Sequence, residues 1–237
     1  MENILFKLKG IFLGVFFPIE CIDCGQEGKY LCNACFKKIK LRKHQICPVC
    51  KKKSFTGKTC ENCSKKTYLD GVVVASYHKD DLLKKSIHYF KYLFVKDLGD
   101  DLSHLLIKIL KKEREELLSK KSVILVPLPL YKKRLLFRGF NQSEVLAKKV
   151  GEFFNIKVRT DLVARIKETK PQMSLERKER LRNVKQAFTC TKPKLAANKF
   201  VVLVDDVMTT GQSLSECARV LKKAGAREVW GLVLARG

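Results

Sequence analysis

The 237-residue chain carries 49 Lys and Arg against 24 Asp and Glu, a formal net charge of +25. Apolar residues at 46% and charged residues at 31% exclude a disordered chain, because enough apolar surface is available to bury a core. So large a positive excess favours polyanionic partners (nucleic acid, phosphorylated metabolites, acidic membrane surfaces) without choosing among them.

Residues 1–20 read as an amphipathic helix that docks through Phe12, Phe16 and Phe17. The apolar stretch at 11–19 follows Lys7 and Lys9 and has the outline of a signal peptide, but Pro18 and Glu20 stand where small residues would mark cleavage. Glu20 before Cys21 argues equally against lipoprotein processing. No stretch reaches the roughly 18–20 uninterrupted apolar residues of a membrane span, so the expected location is the cytoplasm.

Eight of the ten cysteines then fall within 21–63, in four pairs of one spacing: Cys21/Cys24, Cys32/Cys35, Cys47/Cys50 and Cys60/Cys63. A C-x-x-C turn presents two thiolates to one ion, and two such turns complete the tetrahedral sulfur shell that suits structural zinc. Two closed sites follow, with no open position for catalysis. A disulfide scaffold belongs with a secretory signal, and iron–sulfur ligation is the other alternative for four Cys. Short spacers lean toward tandem ribbons over a cross-brace. His44 reads as a solvated loop residue, Cys190 and Cys217 as buried apolar ones.

A module of this size, 21–68, buries little apolar area, so zinc binding has to supply most of its folding free energy. Loss of the metal is therefore expected to unfold 21–63 and leave the rest largely folded. Lys37, Lys38, Lys40, Arg42 and Lys43, then Lys51, Lys52 and Lys53, form either a nucleic-acid footprint or a solvated face.

From 69 to 237 the apolar pattern predicts alternating strands and helices: a strand at 72–76, helices at 80–94 and 98–118, a strand at 123–127, a helix at 141–154, a strand at 200–204, a helix at 214–223 stopped by Gly225, and a strand at 229–234. Fully apolar strands between helices specify an α/β fold, a mostly parallel sheet flanked by helices, behind the small Cys-rich zinc module. Ligands of such sheets sit beyond the strand C-termini. Residues 165–183 are mostly Lys, Arg, Glu and Gln, a long excursion that is uncommon unless functional.

After the strand at 200–204 come Asp205, Asp206 and the turn Thr209-Thr210-Gly211-Gln212-Ser213. Adjacent carboxylates cannot both be buried unpaired, so they are expected to face solvent or a polar ligand. The turn offers backbone N–H groups, hydroxyls and a helix N-terminus to an anion. Carboxylates beside a phosphate cradle describe a phosphorylated ribose. Further upstream, Arg138-Gly139-Phe140-Asn141-Gln142 fits a helix entry, with Asn141 as N-cap and Phe140 as hydrophobic staple.

The acidic turn resembles the phosphoribosyl pyrophosphate (PRPP) signature of type I phosphoribosyltransferases. Joined to the four cysteine knuckles, Val-Pro-Leu-Pro at 126–129, Arg-Gly-Phe-Asn-Gln at 138–142, Lys-Pro-Gln at 170–172 and Arg-Leu-Arg-Asn-Val at 180–184, it resembles the ComF/ComFC competence family over essentially the whole chain. That resemblance implies a type I phosphoribosyltransferase-like domain at 69–237, two structural zinc ions, and PRPP or a nucleotide bound with Mg2+. Asp205 and Asp206 would hold the ribose hydroxyls directly or through Mg2+, and Thr209, Thr210, Gly211, Gln212 and Ser213 the 5′-phosphate. Arg138 would serve the pyrophosphate and, with the two aspartates, the chemistry. Lys170, Gln172 and Arg180 would belong to a loop that closes over the site. The resemblance further implies handling of single-stranded DNA in natural transformation, beside a ComFA-like helicase. It leaves open whether phosphoribosyl is transferred with release of pyrophosphate or the fold is an inactive scaffold or sensor that binds single-stranded DNA and competence partners.

Overall fold

The computed structural model describes residues 19–113, 118, 122–168 and 184–237. Apart from Ile19 and Glu20, the N-terminal helix expected at 1–20 lies outside the described residues, as do Lys170, Gln172 and Arg180. In chain order, the Cys-rich segment contributes α1 (Asn33–Lys38) and α2 (Glu61–Ser64). Then follow β1 (Gly71–Tyr77), α3 (Asp81–Tyr92), α4 (Leu98–Glu113), β2 (Val123–Pro127), α5 (Lys132–Arg138) and α6 (Gln142–Phe154). The chain continues through β3 (Val163–Arg165), β4 (Phe188–Cys190), α7 (Pro193–Ala196), β5 (Phe200–Met208), α8 (Gln212–Lys223) and β6 (Glu228–Arg236).

The apolar strands assemble as a four-stranded sheet of order β1-β6-β5-β2, parallel throughout. Alternation along each strand sorts its side chains between two buried clusters. Val73, Val202, Val204, Leu232 and Leu234 pack with Phe90 of α3, Leu102 of α4 and Leu146 of α6. Val72, Val74, Val201, Leu203 and Val233 pack with Leu214, Ala218 and Leu221 of α8 and with Leu162 and Phe188. Helices thus cover the sheet on both sides, as a parallel sheet requires.

Two features differ from the sequence pattern. α5 and the antiparallel pair β3–β4 were not anticipated, because seven- and three-residue elements are too short to show periodicity. β5 also runs four residues further than its apolar run, since Asp205 to Met208 continue the ladder with Val233 to Arg236 of β6. The two carboxylates are therefore strand residues rather than turn residues.

β1 is an edge strand, and unpaired edge groups need a cover. The Cys-rich segment supplies it. Gln45, fully buried, accepts from the Val74 N–H at 2.8 Å and donates to the Val74 carbonyl at 3.2 Å. Val72 N–H donates to the Gly57 carbonyl and Arg42 N–H to the Ala75 carbonyl, each at 2.8 Å. Leu31 and Ile39 of the segment share one sheet cluster, and Ile46 the other.

These contacts change the outcome expected when the metal is lost: unfolding of the ribbons uncovers the sheet edge. Under chelation, the Val72 and Val74 amides should lose protection from hydrogen exchange together with residues 21–63, while Leu203 in the sheet interior keeps its own. Unchanged protection at Val72 and Val74 would show that the edge stands without the ribbons.

Candidate functional site

Cysteine geometry settles how the knuckles pair. Cys21, Cys24, Cys32 and Cys35 form one cluster and Cys47, Cys50, Cys60 and Cys63 the other, each with its sulfurs within 4.8 Å of one another. Neighbours in sequence share an ion, the tandem arrangement. A tetrahedral shell with Zn–S of about 2.3 Å has sulfur–sulfur edges of about 3.8 Å; Cys24 and Cys32 lie 3.7 Å apart, Cys50 and Cys60 3.8 Å. Burial works against the Cys21 and Cys47 thiolates, but backbone N–H donors around each outweigh it and bring both thiols down to about 6. These are ribbon sites, closed and structural. His44 is exposed, outside both shells. Cys217 is fully buried against the sheet, where burial pushes its thiol up; Cys190 is partly buried.

Beyond the C-terminal ends of the sheet strands lies a cleft of about 650 Å3, the place that the parallel-sheet rule indicates. Asp205, Asp206, Thr209, Gly211 and Ser213 line it from β5 and its turn, and Arg138 from the end of α5. Thr210 and Gln212 belong to the same turn without lining the cleft. Gly211 has φ +80, and a Cβ there would stand 2.2 Å from Met208 Cε, so the turn requires glycine. As the residue before α8 it brings no capping side chain; the Thr210 hydroxyl accepts from Gln212 N–H at 3.5 Å, and the positive end of the helix dipole faces the cleft side of the turn.

Asn141 caps α6 as expected, accepting from Ser143 N–H at 3.1 Å, and its Nδ2 donates to the Leu128 carbonyl at 3.1 Å. That second bond ties the helix entry to the end of β2. Phe140 packs on Phe90 of α3, ring centroids 5.4 Å apart. Arg138, buried at the rim, donates to Gln142 Oε1 and lies 5.6 Å from the Tyr92 ring centroid.

Both carboxylates line the cleft yet are largely buried, Asp205 at 9% and Asp206 at 2% exposure. Burial raises the Asp205 pKa, against the pull of Lys91 and the Ser143 hydroxyl, which donates to Oδ1 at 2.9 Å. Asp206 forms an ion pair with Lys91 of α3 through its Oδ2, while its Oδ1 accepts from Val207 N–H at 2.8 Å. Burial drives the Lys91 ammonium down to about 8, although Asp205 opposes the shift. The carboxylates tolerate burial because a cation from another helix reaches them, not because they face water.

Lys91, Arg134 and Arg165 line the cleft without having been marked in the sequence, and so does Gln142, read there only as part of the helix entry. Lys91 was detectable: it lies four residues after Ile87 and eight after Leu83, both buried, so a lysine occupies an inward row of α3. Arg165 carries no such signal, since β3 is three residues long.

Residues 12–64 match the family model of the double zinc ribbon domain and residues 135–237 that of the phosphoribosyl transferase domain. The second match begins after β1 and β2, although both belong to the same sheet. The class is thus a phosphoribosyl transferase-type α/β domain joined to a double zinc ribbon. Competence protein F of Haemophilus influenzae is 32% identical, covering 93% of this chain and 99% of its own length. DNA utilization protein YhgH of Escherichia coli K12 is 31% identical over 85% of this chain and 96% of its own length, and competence protein ComFC of Bacillus subtilis is 29% identical over 87% and 84%. The chain belongs to the ComF/ComFC family. Among the described residues no helix is long and apolar enough to cross a membrane.

Two outcomes are expected. The purified protein should hold two zinc ions per chain by elemental analysis, and Cys50→Ser should reduce this to one. Lys91→Met should lower stability to denaturant by about 3 kcal/mol, since it strands a buried carboxylate. Adding Asp206→Asn to that variant should restore most of the loss; no recovery would show that Lys91 acts through packing rather than charge.

Proposed function

We propose that the cleft binds PRPP, or a nucleotide, with Mg2+, and that the protein serves the handling of single-stranded DNA during natural transformation in the cytoplasm. The observation that carries the ligand is the convergence in one cleft of Asp205 and Asp206, the Thr209–Ser213 turn and Arg138. Carboxylates take the ribose hydroxyls, the turn takes the 5′-phosphate, and Arg138, aided by Arg134 and Arg165, takes the pyrophosphate. Lys91 Nζ holds Asp206 Oδ2, so a ligand hydroxyl or metal-bound water at that oxygen would share or displace the ammonium. Residues 170, 172 and 180 would close over the ligand. The relatives' names, competence protein and DNA utilization protein, support the cellular role, a ComFA-like helicase being the partner it implies.

In the enzyme reading, the C1′–oxygen bond to pyrophosphate breaks as an acceptor nitrogen bonds C1′ from the opposite face. Mg2+, when bound, supplies charge stabilisation to the leaving group; Arg138 adds a fixed cation there. A second reading, a catalytically inactive PRPP-fold scaffold or sensor that binds single-stranded DNA and competence partners, draws on the Lys91–Asp206 ion pair, which already neutralises the carboxylate that a ligand must engage.

Calorimetric titration of the zinc-loaded protein with PRPP should show Mg-dependent binding. Asp205→Asn/Asp206→Asn should weaken it by at least about tenfold, the scale of one lost charge-assisted hydrogen bond, with folding checked by circular dichroism. Pyrophosphate release on addition of candidate bases supports the enzyme; tight binding without release supports the sensor. No binding at millimolar PRPP would remove the enzyme and the sensor and leave an inactive scaffold.

A further inference from the structure

A second depression lies away from the cleft, about 710 Å3 in volume, between α1 of the ribbon module and α4 of the sheet domain. Lys37, Lys40, Lys43 and Lys108 line it, all exposed, and no carboxylate does. None of the four ammonium groups has a carboxylate partner among the described residues, in contrast to Lys38, which Asp23 holds at 2.7 Å. The acidic residues of the adjoining hollow are already engaged: Asp80 caps α3 by accepting from Leu83 N–H, and Asp81 pairs with Lys84 at 2.9 Å.

The floor between the lysines is apolar and aromatic. Phe36 and Tyr77 form part of it. Lys108 Nζ sits 4.5 Å from the Phe36 ring centroid and the Arg42 guanidinium 5.0 Å from that of Tyr77. Cation–π contact limits the freedom of these side chains before any ligand arrives, and Tyr77 is held further because its hydroxyl accepts from Lys43 N–H at 3.1 Å. A positively charged groove with an aromatic floor suits an unpaired strand: its phosphates meet the lysines and its bases, unlike those of a duplex, have faces and edges to lay on the floor.

We infer that this groove is the path of single-stranded nucleic acid, assembled jointly by the ribbon module and the sheet domain. The assignment rests on the single-strand reading under Proposed function and adds its location. Tyr77 borders the groove and the next residue, His78, borders the cleft, so a strand lying in the groove runs toward the mouth of the candidate PRPP site. The zinc ribbons then have a second use, since α1 forms one wall of the path.

The test is fluorescence anisotropy of a labelled oligothymidylate with the full-length zinc-loaded protein at several salt concentrations. Two quadruple Lys→Gln variants of equal charge change are compared, one at 37, 40, 43 and 108, the other at the exposed lysines 52, 53, 65 and 66; zinc content is measured in both. Each lost phosphate contact reduces the slope of log K against log salt by about 0.7, so the groove variant should lose about 2.8 of slope and more than about tenfold in affinity. The control should retain the wild-type slope. Equal losses in both variants would overturn the groove and leave non-specific attraction. Wild-type binding unaffected by the groove variant would overturn the location alone, and absence of any binding by the wild type would overturn the single-strand reading with it. Binding of anionic vesicles in place of the oligonucleotide, lost in the groove variant, would reassign the groove to a membrane surface.

Discussion

Two adjacent carboxylates at the end of a buried strand impose the central constraint on this molecule. Asp205 and Asp206 continue the β5–β6 ladder, so neither can turn away to solvent without breaking it. Each buried charge needs a counter-group, and the only way to supply them is to bring other elements to that strand end. α3 contributes Lys91, α6 contributes Ser143, and α5 places Arg138 within electrostatic reach. The same requirement that disposes these helices around the sheet builds the cleft. Packing and site formation are here one arrangement.

The ribbon module answers a different requirement. The sheet ends at β1, whose outer backbone groups would template association if left bare. Gln45 mimics a strand residue by making both a donor and an acceptor bond with Val74. Gly57 and Arg42 extend the pairing. On the adjacent strand β6, the Arg236 guanidinium donates to the carbonyl of Cys47, itself a member of the second cluster. Two metal clusters therefore fix loops whose polar groups complete the sheet. This explains why residues of the ribbons belong to both apolar clusters of the later domain.

Much of this was legible in the residues. Strict C-x-x-C spacing announced two sulfur shells, and runs such as Val-Ile-Leu-Val at 123–126 announced strands buried on both faces. The Asp-Asp strand end and Thr-Thr-Gly-Gln-Ser turn announced the cleft, because the chemistry lies in residues contiguous in the chain. Lys91 was only half legible. Its inward row on α3 marks it as unusual, but nothing local says that its partner is 115 positions further along, at Asp206. Arg165 and Arg134 were not legible at all, since they sit on elements too short to leave a periodic trace.

By itself the sequence determined the two sulfur clusters, the α/β class and the location of the glycine turn that opens α8, all of which depend on spacing between near neighbours. Tertiary structure alone decided that the acidic pair is buried and paired with a lysine from α3, that the ribbons close the edge of β1, and that lysines of α1 and α4 share one groove. Those outcomes join residues distant in the chain, and their energies depend on separation and desolvation in space. No local pattern encodes either.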